Sequence, residues 1–117
     1  MSERGDAAFL ADMLACAAAI ASYTAGRTRD ELEGDGMLQD AVVRRLEILG
    51  EAANNVSHEC RHSSPGIPWP AIIGMRNLLI HAYHPVDVEL VWQACSVELP
   101  RIVPEIERLV REAAGRS

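Results

Sequence analysis

Residues 37–58 read MLQDAVVRRLEILGEAANNVSH. Leu38, Val42, Leu46 and Leu49 recur at steps of four and three, which lines them along one face of a helix. Arg44, Arg45, Glu47 and Glu51 fall on the other faces. The pattern predicts a helix over Met37–His58 with one buried face. Gly50 stands in its middle, where glycine costs roughly 1 kcal/mol against alanine. That cost is understandable if a second helix comes close at this point. One apolar face needs other helices to cover it, and the rest of the chain offers them.

Upstream, Asp6–Tyr23 is rich in strong helix formers, and Gly26 follows its end. Asp12 interrupts its apolar run, and no 18 consecutive apolar residues exist, so the expectation is a helix of the folded domain and no membrane span. Thr28-Arg29-Asp30-Glu31 has the form of a capping box and predicts a short helical turn. Gly34-Asp35-Gly36 then breaks it. Downstream, Ser63-Ser64-Pro65-Gly66-Ile67-Pro68 predicts a loop. A third helix should begin near Trp69 or Pro70, since proline suits the first turn, and stop before Pro85. Asp87 should cap a fourth helix through Leu99. Pro100 or Pro104 should kink or split it, leaving Arg101–Ala114 as a last segment. Nothing alternates with period two for long. The fold class expected is all-α, one domain over residues 1–117, a compact bundle of four or five helices.

Composition agrees. Of 117 residues, 49 % are hydrophobic and only 4 % aromatic, so the core must come from Ala, Leu, Ile and Val. The formal charge of −6 argues against wrapping a nucleic-acid duplex, and leaves room for a small cationic site on a dimer or a brief contact with RNA. The three cysteines are odd in number and widely spaced, which argues against a disulfide framework and for a reducing cytoplasm. Cys16 and Cys95 lie in apolar helical patterns and belong in the core. The charged start Met-Ser-Glu-Arg-Gly-Asp leads into no signal-peptide core, so a cytoplasmic location is expected.

Chemistry concentrates in GMRNLLIHAYHP, residues 74–85. On a helix Arg76 and Tyr83, seven apart, lie within ~20° of each other. Asn77 and His81, four apart, share a neighbouring face, and His84 can join them if the helix lasts. Arg76 and His81 are five apart and point ~140° away from each other. They converge through long side chains, a distorted last turn, or a second subunit across a two-fold axis. Arginine's planar fork matches a phosphate, and histidine takes and gives protons near neutrality. RNA carries its own nucleophile, the 2′-hydroxyl. A base for that proton, an acid for the leaving 5′-oxygen and a cation on the phosphorane suffice to cleave it, with no metal and no cofactor. Asn77 would orient His81 or the ribose, and Tyr83 would bond the phosphate or stack on a base. The plainer alternative pairs Arg76 with Glu47 or Glu51, makes His81 an ordinary helix-end histidine and puts Tyr83 in the core.

The string RNLLIHAY has the form RxxxxHxY and resembles the signature of HEPN-domain proteins, specifically the HepT-like toxin ribonucleases of prokaryotic toxin–antitoxin pairs. The likeness extends through AVVRRLEILGEAANNVS (41–57), IPWPAIIGMRNLLIHAYHPVDVELVW (67–92) and LPRIVPEIERL (99–109), and is weaker over the first helix. The resemblance implies an all-α HEPN bundle that forms a homodimer with its motif helices facing across a two-fold axis. It implies a metal-independent endoribonuclease of a type VII-like toxin–antitoxin system, with Arg76 and His81 as the catalytic pair and Asn77 at the polar position after the arginine. It also implies a partner, a minimal nucleotidyltransferase antitoxin that transfers AMP from ATP to Tyr83.

Other candidates are weaker. His58-Glu59-Cys60-Arg61-His62 lacks a fourth zinc ligand and a usual zinc spacing, and reads as a polar helix end. Arg44-Arg45 is a basic pair that either faces solvent or extends a phosphate-binding surface. Trp69 and Trp92 are packing or interface residues. Three functions remain: the ribonuclease toxin, a catalytically silent HEPN subunit that binds or regulates a nucleotidyltransferase, and a plain helical dimer.

Overall fold

The computed structural model describes residues 5–81 and 86–115. Among these, all regular structure is helical. The helices are α1 (Asp6–Thr24), α2 (Arg29–Gly34), α3 (Gly36–Asn55), α4 (His58–His62), α5 (Trp69–Ile80), α6 (Val88–Gln93) and α7 (Leu99–Gly115). A π turn over Ala94–Glu98 joins α6 to α7, so Val88–Gly115 forms one continuous rod. With that rod counted once, four main helices make the bundle, and α2 and α4 are short pieces in its connections.

Helix α3 is the central element. It packs against α1 and α5, and α1 also packs against α7. Leu38, Val42, Leu46 and Leu49 are all buried, as their spacing requires. They meet Leu10, Met13, Cys16 and Ile20 of α1 and Leu99, Ile102, Ile106 and Leu109 of α7 in one core. Helix α1 is long and apolar enough to cross a membrane by length and composition. Here its inner face fills the core of the bundle. Cys16, Cys60 and Cys95 are all buried. Burial pushes the Cys95 thiol up to about 12, which makes it a packing residue.

The local signals act as expected. Thr28 and Glu31 form a reciprocal capping box at the start of α2. Asp35, read from the sequence only as part of a break, adds a cap that was not expected: its carboxylate accepts from the Leu38 N–H at 3.0 Å and starts α3. Asp87 caps α6 in the same way, accepting from the Leu90 N–H.

Three elements differ from the sequence expectation. Helix α3 stops at Asn55 instead of His58, because Val56 is extended and Ser57 caps α4 by accepting from the Cys60 N–H. The Asp6 carboxylate holds that break in place, accepting from the Ser57 N–H at 2.8 Å and its hydroxyl at 2.6 Å. The rod, secondly, is not split at either proline. Its looser winding comes just before Pro100, where the Leu99 N–H reaches back to the Ala94 carbonyl. That register accommodates a residue with no N–H to give. Pro104 sits inside α7, which continues past it while Ile102, Ile106 and Leu109 hold the helix on the core. Thirdly, α5 ends at Ile80. His81 has φ −101° and ψ 5° and lies beyond the last helical turn. Tyr83 and His84 lie outside the described residues, so the shared face expected for Arg76 and Tyr83 lies there too.

Candidate active site

The site begins with the glycine in α3. A Cβ on Gly50 would overlap the Cβ of Arg76 and come within 3.0 Å of its Cγ and 3.1 Å of the Ile72 carbonyl oxygen. Only hydrogen fits, so α5 settles directly on α3 at this crossing. The close approach fixes where the Arg76 side chain starts. From there its Nη2 reaches Glu51 Oε2 at 2.7 Å, and its Nη1 donates to Asn77 Oδ1 at 2.7 Å. Of the two carboxylates the sequence offered, Glu51 is the partner.

Arg76 opens into a groove of 360 Å³ between α1, α3 and α5. Phe9, Ile48, Ala52 and Ile80 give it apolar walls, and Asn55 lies at its edge with α3's polar residues. Its charged lining is Arg44 and Arg76 against Asp12, Glu47 and Glu51. Two cations against three carboxylates do not make a strong polyanion trap. Arg44 pairs with Glu47 at 3.4 Å and is otherwise well exposed. Arg45 turns the other way, donating to the Tyr23 hydroxyl and the Cys16 sulfur, and these bonds raise its pKa further. Burial raises the Cys16 thiol, and Arg45 opposes that shift. Of the basic pair, only Arg44 shares the groove with Arg76.

His81 is exposed at the end of α5 and is not among the residues lining the groove. Within one chain the structure thus joins Arg76 to Asn77, while His81 stands past the end of α5 and does not line the groove. The outer face of α5 carries Ala71, Gly74, Asn77 and Leu78, all exposed, and His81 is exposed just past its end. Of the apolar trio Leu78, Leu79 and Ile80, only Leu79 enters the core; Leu78 is 55 % exposed and Ile80 42 %. A Cβ on Gly74 would meet nothing within 4 Å, so no contact among the described residues explains that glycine.

A second polar cluster anchors the start of α5, and sequence reasoning did not find it. Ser64 is buried; its hydroxyl donates to Glu105 at 2.6 Å and accepts from Arg108 at 3.2 Å. Its carbonyl accepts from the buried Trp69 indole N–H at 3.1 Å. Hydrogen bonds from Arg108 and Ser64 hold the Glu105 carboxyl below its usual range. The Ser-Pro-Gly signal marked a loop, but nothing local marks a partner 41 residues away. Among the described residues, no group of His, Cys, Asp and Glu is arranged to hold a metal. Cys60 is buried in α4, whereas His58 and His62 are exposed.

Known proteins resemble this chain over most of its length. A putative RNase of Methanocaldococcus jannaschii is 36 % identical, covering 92 % of this chain and 98 % of its own. A second putative RNase of that organism is 34 % identical over 99 % of this chain and 96 % of its own. A protein of Thermococcus cleftensis named probable ribonuclease HepT is 34 % identical over 86 % and 92 %. No solved structure matches. The ribonuclease HepT-like family profile matches residues 13–109, a span that holds the α3–α5 crossing, Arg76 and His81. With that span and these relatives, the chain belongs to the ribonuclease HepT-like family.

Proposed function

We propose that this protein is a metal-independent endoribonuclease, the toxin of a type VII-like toxin–antitoxin pair, acting as a homodimer. The observation that carries the proposal is Arg76, held at the mouth of a groove with Asn77 beside it and His81 on the adjoining exposed end of the same helix. Arg76 grips the phosphate and its developing charge. His81 moves a proton. The two point apart within one chain, so a second copy packed on the outer face of α5 completes the site. The exposed Leu78 and the otherwise unexplained Gly74 support that packing, because a small residue lets a second helix come close.

Control comes from a nucleotidyltransferase antitoxin that places AMP on Tyr83. The added phosphate pairs with the arginine that otherwise holds RNA, and the nucleoside fills the substrate's space.

The test uses the purified full chain and RNA. Cleavage should survive EDTA and leave 2′,3′-cyclic phosphate ends. Arg76→Ala and His81→Ala should each lower the rate by ~10²–10³ without unfolding the chain. A strict need for a divalent metal, or full activity in His81→Ala, would exclude this mechanism. An inactive wild type that still binds the nucleotidyltransferase would favour the silent-subunit alternative. Incubation with that partner and ATP should add the mass of AMP to wild type and not to Tyr83→Phe; equal modification of both would place the acceptor elsewhere.

A further inference from the structure

Attack by a ribose 2′-hydroxyl moves two protons. One leaves the nucleophile, and one must reach the departing 5′-oxygen. The proposed dimer holds one His81 per subunit, but the His81 of the chain that supplies Arg76 does not line the groove, so the base must be another group there. We propose that Glu51 is the general base of this reaction, with His81 as the acid. The inference rests on the ribonuclease reading above and adds a catalytic residue to it.

Geometry singles out Glu51 among the groove's carboxylates. Its Oε2 lies 2.7 Å from Arg76 Nη2, so it touches the guanidinium that would grip the phosphate. A nucleophile in position stands about 3–3.5 Å from the atom it attacks. A 2′-oxygen attacking a phosphate on Arg76 therefore stands beside the carboxylate that shares that arginine. Glu51 is half-exposed and can meet substrate. Its other oxygen, Oε1, faces the Asn55 amide at 3.4 Å, a long contact that a hydroxyl can replace. Glu47, one turn earlier, is paired with Arg44 instead. The charged groups facing Glu51 across the groove are Asp12 from α1, Arg44 and Glu47 from α3, and Arg76 from α5.

The step balances without a co-reactant. Glu51 takes the 2′-hydroxyl proton as the O2′–P bond forms. The P–O5′ bond breaks, and the imidazolium of His81, supplied by the second subunit of the proposed dimer, protonates the leaving 5′-oxygen. The products are a 2′,3′-cyclic phosphate and a 5′-hydroxyl. Exchange with water returns both groups to their starting states.

The experiment is single-turnover cleavage of a single-stranded RNA by the full-length chain across acidic to mildly basic pH, for wild type, Glu51→Gln, Glu51→Ala and Glu51→Asp. Glutamine still accepts a hydrogen bond from Arg76 but cannot take a proton. Glu51→Gln should therefore slow cleavage by ~10²–10⁴ with substrate affinity little changed. The acidic limb of the wild-type pH profile should vanish with it. Glu51→Asp should keep the limb at a lower rate, and it decides the matter if the glutamine variant does not fold. Near-wild-type cleavage by Glu51→Gln, or an unaltered acidic limb, overturns the proposal. Loss in Glu51→Ala alone would then mean that Glu51 only positions Arg76. A wild type that cannot cleave RNA removes the ribonuclease reading and this inference together, whereas an active wild type with an indifferent Glu51→Gln removes this inference alone.

Discussion

At Gly50 two opposing effects can be weighed. Alanine there would recover about 1 kcal/mol of helix propensity. Its methyl group would meet the Cβ of Arg76, which is fixed to the α5 backbone and cannot swing aside. Overpacking of this kind costs about 1–3 kcal/mol. Gly50→Ala should thus come out destabilised by about 1 kcal/mol in urea unfolding, with α5 pushed off α3 and RNA cleavage lost along with the Arg76–Glu51 pair. A stability gain in that variant would mean that the helices do not cross so closely. The sequence anticipated this contact, since a costly glycine in a strong helix asks for a neighbour. It also narrowed the partner of Arg76 to Glu47 or Glu51. It could not choose between them, because the choice depends on how far along α3 the crossing falls.

Helices α2 and α6 begin where Thr28 and Asp87 promised a cap, and the helix ends were harder to read. Ser57 is an ordinary cap residue, yet it ends α3 early because Asp6, 51 positions away, holds its N–H and hydroxyl. The prolines misled for a related reason. Their local preference is to break a helix, but a π turn and the packing of α7 absorb both. The Ser64–Glu105–Arg108 cluster is likewise nonlocal, and it gives a test at this scale. The folded Glu105 carboxyl has its pKa lowered by Arg108 and Ser64. Its stabilising effect is therefore complete above the ordinary carboxylate range and is lost as pH falls through that range toward the lower folded value. Glu105→Gln should melt at a lower temperature than wild type near neutral pH, and the difference should close on acidification below about pH 4. A difference that persists unchanged in acid would mean that the side chain acts by shape and not by charge.

Across the described residues, Leu78 and Ile80 of α5 are left largely uncovered. Nearly all of the fold could be read from periodicity. The half-covered state of α5 could not, because the string Leu78-Leu79-Ile80 asks for burial without saying which of the three faces outward. The acidic balance of the surface fits the same picture: with charge −6 and a groove of mixed sign, RNA must be held by few, well-placed contacts. Sedimentation at micromolar concentration should give a dimer. Leu78→Glu should give a folded monomer without ribonuclease activity, because it puts a charge where a second α5 is proposed to pack. Gly74→Leu should do the same by blocking the close approach. A monomeric wild type, or a Leu78→Glu protein that stays dimeric and active, would sever the link between this face and catalysis.

The contact at residues 50 and 76 also limits how related chains can diverge. Any residue but glycine at 76 carries a Cβ in the space that a side chain at 50 would need. A lineage that abandons RNA cleavage and replaces Arg76 therefore gains no freedom at position 50 and still drifts around a fixed glycine. Glu51 is under no such restraint; it is half-exposed, and its side chain bonds a neighbouring amide and Arg76 itself. Retention of Gly50 in a divergent chain testifies to ancestry of the bundle, while joint retention of Glu51 and Arg76 testifies to selection for what the pair does.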